Sequence, residues 1–327
     1  MKILLLRLSS MGDIILTQSV VAELRLLYPQ AQIHYCSKSQ YADLVRMLDD
    51  EMVFVPYSKT LGWHLSLLKD QYDILIDLHG KFSTWLIRCI VPARRKATYS
   101  KQRRLRKSIV NKTTDTAIES TVRLYYSALD KLFNNTSYRQ KPLLHPKLSF
   151  RESSCEGLPE RMDGKKLIVI FVGAAHPTKT YPIHLYRELL SILGDRYQVW
   201  LLGDNRDREP ASILAREFSA SHNLCGRFGF AELAQVVAQT DLVISGDTGP
   251  MHMAAALGRK QIAIFGGTHP KLGFAPLNES AKILCANLPC QPCSLHGLER
   301  CPLKHFRCML DISPQRIVES IEHLIGG

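Results

Sequence analysis

The chain opens with the stretch KILLLRLSSMGDIIL (residues 2–16), and this stretch decides the fold class. The apolar run Ile3–Leu8 has the length of a buried strand, and it ends in the small and polar residues of Ser9–Asp13. Apolar residues then recur at helical spacing as far as Leu27. A strand, a glycine-containing turn and a helix in this order are typical of a parallel βαβ unit.

The same order of elements recurs along the chain. In the first half, Tyr72–Leu78 is a strand candidate that ends at His79-Gly80, and Thr113–Phe133 carries a helical pattern. In the second half, apolar strands that end in glycine are predicted at Leu167–Val172, Gln198–Leu202, Leu242–Ser245 and Gln261–Phe265. This alternation predicts an α/β protein with doubly wound parallel sheets, which bind ligands beyond the carboxyl ends of their strands.

Length and loop composition predict two domains. The chain has 327 residues, whereas a domain commonly has ~100–200. The segment Pro142–Gly164 has the proline and glycine content of an interdomain connection. We therefore predict domains at 1–160 and 161–327, which face each other across a cleft. Ser313-Pro314 followed by spaced apolar residues predicts a capped terminal helix.

Composition excludes several classes of protein. With 46% hydrophobic and 22% charged residues, the chain is neither disordered nor collagen-like. No apolar run approaches the ~20 residues of a membrane span. Arg7 and Asp13 interrupt the N-terminal apolar run, so we predict neither a signal peptide nor a transmembrane segment. The expected location is cytoplasmic.

The charge distribution is strongly uneven. The net charge is +12, and Arg88–Lys112 holds ten Lys or Arg and no acid. Such a run is either a solvated face or a surface for polyanions. Tyr99 is the only aromatic residue within the run, which argues against single-stranded nucleic acid as the partner.

Residues that follow the predicted strands are candidates for chemistry. Asp13 is either a first-turn helix carboxylate or a general base. Thr248 and Gly249 open a helix whose N–H groups suit a diphosphate. Lys179 is either solvated or paired with phosphate oxygens.

Four of the nine cysteines lie close together in sequence, at Cys290, Cys293, Cys301 and Cys308. They are either a structural four-thiolate zinc site or simply reduced thiols. In either case we predict a structural role.

Taken together, these segments resemble glycosyltransferase family 9, the lipopolysaccharide heptosyltransferases. The resemblance runs in order along nearly the whole chain. It is carried by Arg7–Ile14, Lys179–Pro182, Asp247–His252, Phe265–Pro270 and the cysteine-rich segment.

The resemblance implies a GT-B fold, with an N-terminal acceptor domain, a C-terminal nucleotide-sugar domain and a terminal helix that packs back on the first domain. It implies an inverting, metal-independent transfer without a cofactor, from ADP-heptose to the lipid A–Kdo inner core. The acceptor is then an anionic glycolipid, and the enzyme is expected to be peripheral to the inner membrane. Nucleic acid is not an expected partner.

The resemblance also implies roles for individual residues. Asp13 corresponds to the family's base. Ser10, Gly12, Arg103 and Arg104 are expected to contact the acceptor. The donor is expected to bind Lys179, Asp207, Asp247, Thr248, Gly249 and His252. The chain departs from the family at two positions: Gly267 stands where many members have a proline, and Pro250 where many have an apolar residue. The resemblance therefore leaves the identity of the transferred sugar open.

Three alternatives follow from the same residues. The first is a GT-B transferase for another nucleotide sugar or acceptor, and the second is a nucleotide-sugar epimerase. The third is a polyanion-binding or nucleic-acid-binding protein with a zinc module, which leaves the glycine turns of both halves unexplained.

Overall fold

The computed structural model describes residues 1–133, 138, 140–150 and 155–326. It divides into two compact units, each built around one parallel sheet. The first unit comprises Met1–Arg103 and Ser120–Phe150, and the second comprises Arg104–Glu119 and Arg151–Gly327. The predicted α/β class with two doubly wound sheets is confirmed.

The first unit contains five parallel strands in the order β3-β2-β1-β4-β5. The strands are β1 (Lys2–Leu6), β2 (Gln32–Ser37), β3 (Val53–Pro56), β4 (Tyr72–Asp77) and β5 (Ala93–Thr98). The helices of the first half of the chain are α1 (Met11–Leu16), α2 (Gln18–Leu27), α3 (Ala42–Leu48), α4 (Leu61–Ser66), α5 (Phe82–Ile90), α6 (Arg103–Val110) and α7 (Thr121–Phe133).

The opening apolar run forms the centre of this sheet. Strand β1 pairs with β2 on one side and with β4 on the other. Its successive residues Ile3–Leu6 are all fully buried, so both faces of the strand are covered. Leu4 and Leu6 are fully buried in one core cluster with Leu75 and Ile87. This explains why the strand is apolar throughout and does not alternate, as expected for a parallel sheet.

The second unit contains six parallel strands in the order β11-β10-β9-β6-β7-β8. The strands are β6 (Lys166–Phe171), β7 (Tyr197–Leu202), β8 (Ser221–Asn223), β9 (Leu242–Gly246), β10 (Gln261–Phe265) and β11 (Ala281–Cys285). The helices are α8 (Ile183–Leu193), α9 (Arg208–Glu217), α10 (Phe230–Ala238), α11 (Gly249–Ala256), α12 (Arg307–Leu310) and α13 (Pro314–Ile325).

The terminal helix α13 begins as the sequence predicts. The Ser313 side chain accepts a hydrogen bond from the Arg316 N–H at 3.3 Å, and Pro314 occupies the first turn. The buried side chains of α13 join the core of the second unit, where the helix packs against α8. The apolar side of α13 is thus buried within its own unit. The packing of this helix toward the first domain stays a prediction.

The segment 104–119 differs from the prediction, which placed everything up to residue 160 in the first domain. These residues belong to the second unit. The Ile118 N–H donates to the Lys271 carbonyl at 2.9 Å, and Lys112 Nζ donates to the Pro292 carbonyl at 2.8 Å. The basic run is therefore divided between the two units.

The helix predicted over Thr113–Phe133 begins only at Thr121. Hydroxyl side chains in the preceding segment bond to nearby backbone groups. The Thr116 N–H, for example, donates to Thr114 Oγ1 at 3.1 Å. Such local bonds compete with helix formation, so the apolar spacing alone placed the helix start too early.

In the part of the chain that the structure describes, no helix combines the length and the apolar character needed to cross a bilayer.

We expect Ile321→Ala to destabilise the second unit by ~2–5 kcal/mol, because it removes a fully buried side chain from a close-packed core. Glu319→Ala on the exposed side of the same helix is the matched control, with an expected change within ~0.5 kcal/mol. Thermal or urea unfolding of both variants measures the difference. Equal stabilities would show that α13 does not contribute to the core.

Candidate functional site

Asp13 lies in the first turn of α1, directly after the central strand β1. Its Oδ2 accepts hydrogen bonds from Ser10 Oγ at 3.1 Å and from the Ser10 N–H at 3.5 Å, and its Oδ1 accepts one from the Tyr125 hydroxyl at 3.2 Å. Arg7 Nη2 forms an ion pair with Oδ2. The carboxylate therefore satisfies the helix terminus, and it is also held in one orientation by three other side chains.

Arg7 is the group that fixes this arrangement. Its side chain is buried, and it donates from Nε to the Ser9 carbonyl at 2.7 Å and from Nη1 to the Leu78 carbonyl at 2.6 Å. Burial disfavours the charged guanidinium, but Asp13 and the neighbouring tyrosines outweigh it, and the pKa of Arg7 is raised. Arg7 thus stays charged and ties the turn after β1 to the end of β4.

A cationic cluster lies beside this ion pair, at the carboxyl ends of β4 and β5. Burial and the nearby cations Arg7, Lys81 and Lys101 lower the pKa of His79 to about 3, so its ring is neutral at pH 7. Burial, Arg103 and Arg7 lower the pKa of Lys101 to about 8. Positive charge concentrated in this way favours an anionic ligand.

The sequence by itself gave no role to Arg7, Tyr125, His79 or Lys101. For His79 a signal was present, because it stands in the glycine turn that ends a predicted strand. Gly80 in the same turn has φ +60°, and an added Cβ would lie 2.8 Å from Lys101 Cε. Tyr125 gave no comparable signal, since it reaches Asp13 from a helix 112 residues further along the chain.

The predicted acceptor residues are placed in different surroundings. Ser10 contacts Asp13 directly, and Gly12 is buried in the same helix turn. Arg103 and Arg104 are exposed at the start of α6. Arg106, in the same basic run, is buried with its guanidinium 5.0 Å from the centre of the Phe274 ring, so the run is not a uniform solvated face.

In the second unit, the structure brings Lys179 and Asp247 together. Lys179 Nζ lies 3.0 Å from Asp247 Oδ2, and the Thr268 hydroxyl donates to the same oxygen at 2.8 Å. Asp247 is buried, and the Lys179 side chain is only 15% exposed. Lys179 is therefore a positioned cation and not a solvated loop lysine.

The predicted diphosphate loop follows β9 and opens α11. Thr248 is the N-cap residue, Gly249 is the first residue of the helix, and His252 is buried within it. The first N–H groups of a helix have no partner within the helix and carry partial positive charge. This end of α11 therefore offers N–H donors directly after Asp247, the partner of Lys179.

Close backbone approach explains the glycines that surround this loop. A Cβ on Gly246 would lie 2.7 Å from the Lys179 carbonyl oxygen. The Gly267 N–H donates to the Thr178 carbonyl at 2.7 Å, a bond that a proline has no hydrogen to make. The departure at Gly267 thus has a structural use in this chain.

Asp207 lies against two glycine turns, those after β6 and β7. A Cβ on either Gly173 or Gly203 would collide with its carboxylate. The Asp204 N–H donates to Asp207 Oδ2 at 2.8 Å. Burial and the charge of Asp204 raise the pKa of Asp207. A half-buried carboxylate at the ends of two parallel strands is suited to accept hydrogen bonds from hydroxyl groups of a ligand.

The cysteine-rich segment supports the loops of the second unit. The Cys293 N–H donates to the Gly267 carbonyl at 2.8 Å, and Gln291 Nε2 donates to the Gly266 carbonyl at 2.6 Å. All nine cysteines are free thiols. Within the described ranges, no three His, Cys, Asp or Glu side chains are placed to hold a metal ion, so the zinc hypothesis gains no support.

Solved structures with the same fold cover the whole chain. The structure of Escherichia coli ADP-heptose LPS heptosyltransferase II has a TM-score of 0.77 and 24% identity, and covers 99% of this chain and 98% of its own. E. coli heptosyltransferase WaaC with ADP has a TM-score of 0.73 and 20% identity, and covers 99% of each chain. These likenesses confirm the predicted GT-B fold.

Curated relatives carry matching names. Lipopolysaccharide heptosyltransferase 2 of Salmonella typhimurium is 24% identical over 100% of this chain and 99% of its own length. Lipooligosaccharide heptosyltransferase 2 of Campylobacter jejuni is 29% identical, and there the match spans about half of each chain, 50% of this one and 52% of the relative.

A family model matches residues 63–302, which is most of the chain. That model describes glycosyltransferase family 9 (heptosyltransferase). The matched residues include Lys179, Asp207 and the loop from Asp247 to His252, which are the residues predicted to bind the donor. The chain belongs to glycosyltransferase family 9.

Proposed function

We propose that this protein transfers a heptose from ADP-heptose to the lipid A–Kdo inner core of lipopolysaccharide, with inversion at the anomeric carbon and without a metal. Family membership supports glycosyl transfer, and relatives that match over their whole length are named lipopolysaccharide heptosyltransferases. The observation that carries the proposal is the oriented Asp13 carboxylate at the end of β1.

Asp13 is the general base of the proposed reaction. The acceptor hydroxyl attacks the anomeric carbon while Asp13 takes its proton, and the bond from that carbon to the diphosphate oxygen breaks. The new glycosidic bond has the opposite anomeric configuration, and ADP leaves as the anion. Ser10 and Tyr125 orient the carboxylate by donating to it.

The second unit is proposed to bind the nucleotide sugar. Lys179 and the N–H groups at Thr248 and Gly249 balance the charge that builds up on the departing diphosphate. Asp247 holds Lys179 in place through their 3.0 Å ion pair. Asp207 is proposed to accept hydrogen bonds from hydroxyl groups of the nucleoside. His252 is proposed to complete the donor loop.

The first unit is proposed to bind the acceptor. The cations around His79, together with Arg103, suit a carboxylated or phosphorylated sugar. Ser10 and Gly12 lie in the turn that holds Asp13. Such an acceptor is part of a membrane lipid, so the enzyme is proposed to work in the cytoplasm at the inner membrane surface.

We expect Asp13→Asn to lower kcat by ~10²–10⁴-fold, because the amide keeps the shape but removes the base. Steady-state kinetics with ADP-heptose and a lipid A–Kdo acceptor measure the effect, and thermal unfolding checks that the protein is folded. Asp43→Asn on the exposed side of α3 is the matched control. Turnover within a few-fold of the parent enzyme would leave Asp13 only its role at the helix terminus.

We expect Lys179→Ala to weaken ADP binding by about ten- to a hundredfold, since a hydrogen bond to a charged group contributes ~1.5–3 kcal/mol. Isothermal titration calorimetry with ADP measures the affinity. Lys282→Ala, an exposed lysine on β11, is the control and should bind as the parent does. Unchanged affinity of the Lys179 variant would remove this residue from the donor site.

We expect turnover in the presence of EDTA to equal turnover without it, because Lys179 and the start of α11 provide the positive charge that the leaving diphosphate requires. The measurement is the initial transfer rate after dialysis against the chelator. A loss of activity that added Mg²⁺ or Zn²⁺ restores would contradict metal independence.

A donor-only incubation separates transfer from the epimerase alternative. An epimerase converts the nucleotide sugar without an acceptor, whereas a transferase needs one to release ADP at the full rate. Conversion of the donor to an isomer in the absence of acceptor would overturn the proposed function.

A further inference from the structure

The first unit carries large apolar side chains on its surface. Leu61, Leu65 and Leu68 follow one another at i, i+4 and i+7 on α4 and the turn after it, and Phe82 and Trp85 are at i and i+3 on α5. Leu61 is 74% exposed and Phe82 is 76% exposed. We call these five residues the apolar face.

Helices α4 and α5 lie side by side on one side of the sheet. Leu67, after α4, and Ile87 of α5 are buried in the same core cluster. The Tyr57 side chain is hydrogen-bonded to Ser83 of α5, and its ring centre lies 5.3 Å from that of Trp63 in α4. Since their inner sides share one core, the outer sides of the two helices face away from the same side of the sheet.

Helix α5 is apolar on two opposite sides. Thr84 and Ile87 point into the core, while Phe82 and Trp85 stay exposed and stack on each other with ring centres 5.5 Å apart. A helix that buries only one side normally presents polar residues on the other. Exposed apolar groups that are clustered in this way mark an interaction surface.

Positive charge lies beside the α5 part of the apolar face. Lys81 stands at the start of α5, Arg88 lies in its last turn, and the last strand of the sheet, β5, exposes further cations. Those of β5 are Arg94, Arg95 and Lys96.

The acids nearest in sequence are Asp70 and Asp73. Asp70 pairs with Lys2 Nζ at 2.6 Å. Asp73 accepts from the Lys2 N–H at 2.9 Å and also pairs with Arg94, whose Nη1 lies 3.5 Å from Asp73 Oδ1. Arg94 is therefore paired with an acid, and the positive charge offered to an anionic surface rests on Lys81, Arg88, Arg95 and Lys96.

We propose that the apolar face docks on an anionic lipid bilayer, with Phe82 and Trp85 inserted at the level of the headgroups. Aromatic residues next to clustered cations are the pattern of helices that lie in a membrane interface. Each cation near an anionic surface adds favourable energy. A protein partner would need a matching acidic rim, and a second copy of this chain would bring like charges together.

The position of the face in the fold also supports a membrane as its occupant. Helix α5 starts directly after the turn that contains His79. The negative charge of Asp13 partly opposes the lowering of the pKa of that histidine, so the two side chains are neighbours. A bilayer under α5 would present lipid headgroups to the acceptor residues of the first unit. The inference rests on the proposed function only in identifying the acceptor as a membrane lipid.

Vesicle flotation tests the proposal with the full-length protein. We expect binding to phosphatidylglycerol vesicles, weaker binding to phosphatidylcholine vesicles, and a decrease with added salt. The double variant F82S/W85S should lose about tenfold or more in partition, and L61S/L65S should show a loss in the same direction. Ile213→Ser removes a residue that is 43% exposed on α9 in the second unit, and it should bind as the parent does.

Tryptophan fluorescence gives an independent measurement. The chain has three tryptophans, and Trp200 is buried while Trp63 is partly buried. We expect a blue shift on binding to anionic vesicles and quenching by brominated lipid. In Trp85→Phe, which keeps the aromatic surface, vesicle binding should persist while most of the shift is lost.

Three results would overturn the proposal: no binding of the parent to anionic vesicles, equal binding of F82S/W85S, or a dimer in sedimentation velocity that this variant dissociates. ADP affinity of each variant, measured by calorimetry, separates this proposal from the enzymatic one. Vesicle binding that depends on the face in a protein without transferase activity would defeat only the proposed function.

Discussion

The ion pair between the buried Arg7 and the half-buried Asp13 is the interaction on which the first unit's site depends. A guanidinium taken out of water is costly unless its charge and its N–H groups are matched. Here the Asp13 carboxylate and the carbonyls of Ser9 and Leu78 provide that match. One side chain thereby connects the central strand, the turn after it and the neighbouring strand β4, and it fixes the carboxylate that is proposed to act as the base.

In the second unit, close backbone packing and not a guanidinium positions the candidate residues. Its candidate donor residues lie where backbone segments come very close, and glycine is needed where a Cβ has no room. Gly246 lies against the Lys179 carbonyl, and Gly173 and Gly203 make space for the Asp207 carboxylate. In a parallel sheet all strands deliver their following loops to the same edge, so several short turns can contribute to one ligand.

Basic residues serve several purposes in this chain. Arg7 is structural and buried, Arg106 packs over an aromatic ring, and Lys101 belongs to a cationic cluster that lowers its pKa. Only the exposed cations, such as Arg95, are available for long-range attraction of an anionic surface. A net charge of +12 is therefore the sum of groups with different roles, and some of the exposed cations lie on α5 and β5, beside the apolar face.

The sequence by itself determined the α/β class, the strands that end in glycine and the position of Asp13, because strand burial and helix periodicity are local patterns. It also indicated the donor loop at Thr248 and Gly249. Only the tertiary structure decided that Tyr125 donates to Asp13, that Lys179 pairs with Asp247, and that 104–119 belongs to the second unit. These contacts join residues far apart in the chain, and no local pattern records which distant side chains the packing brings within hydrogen-bond distance.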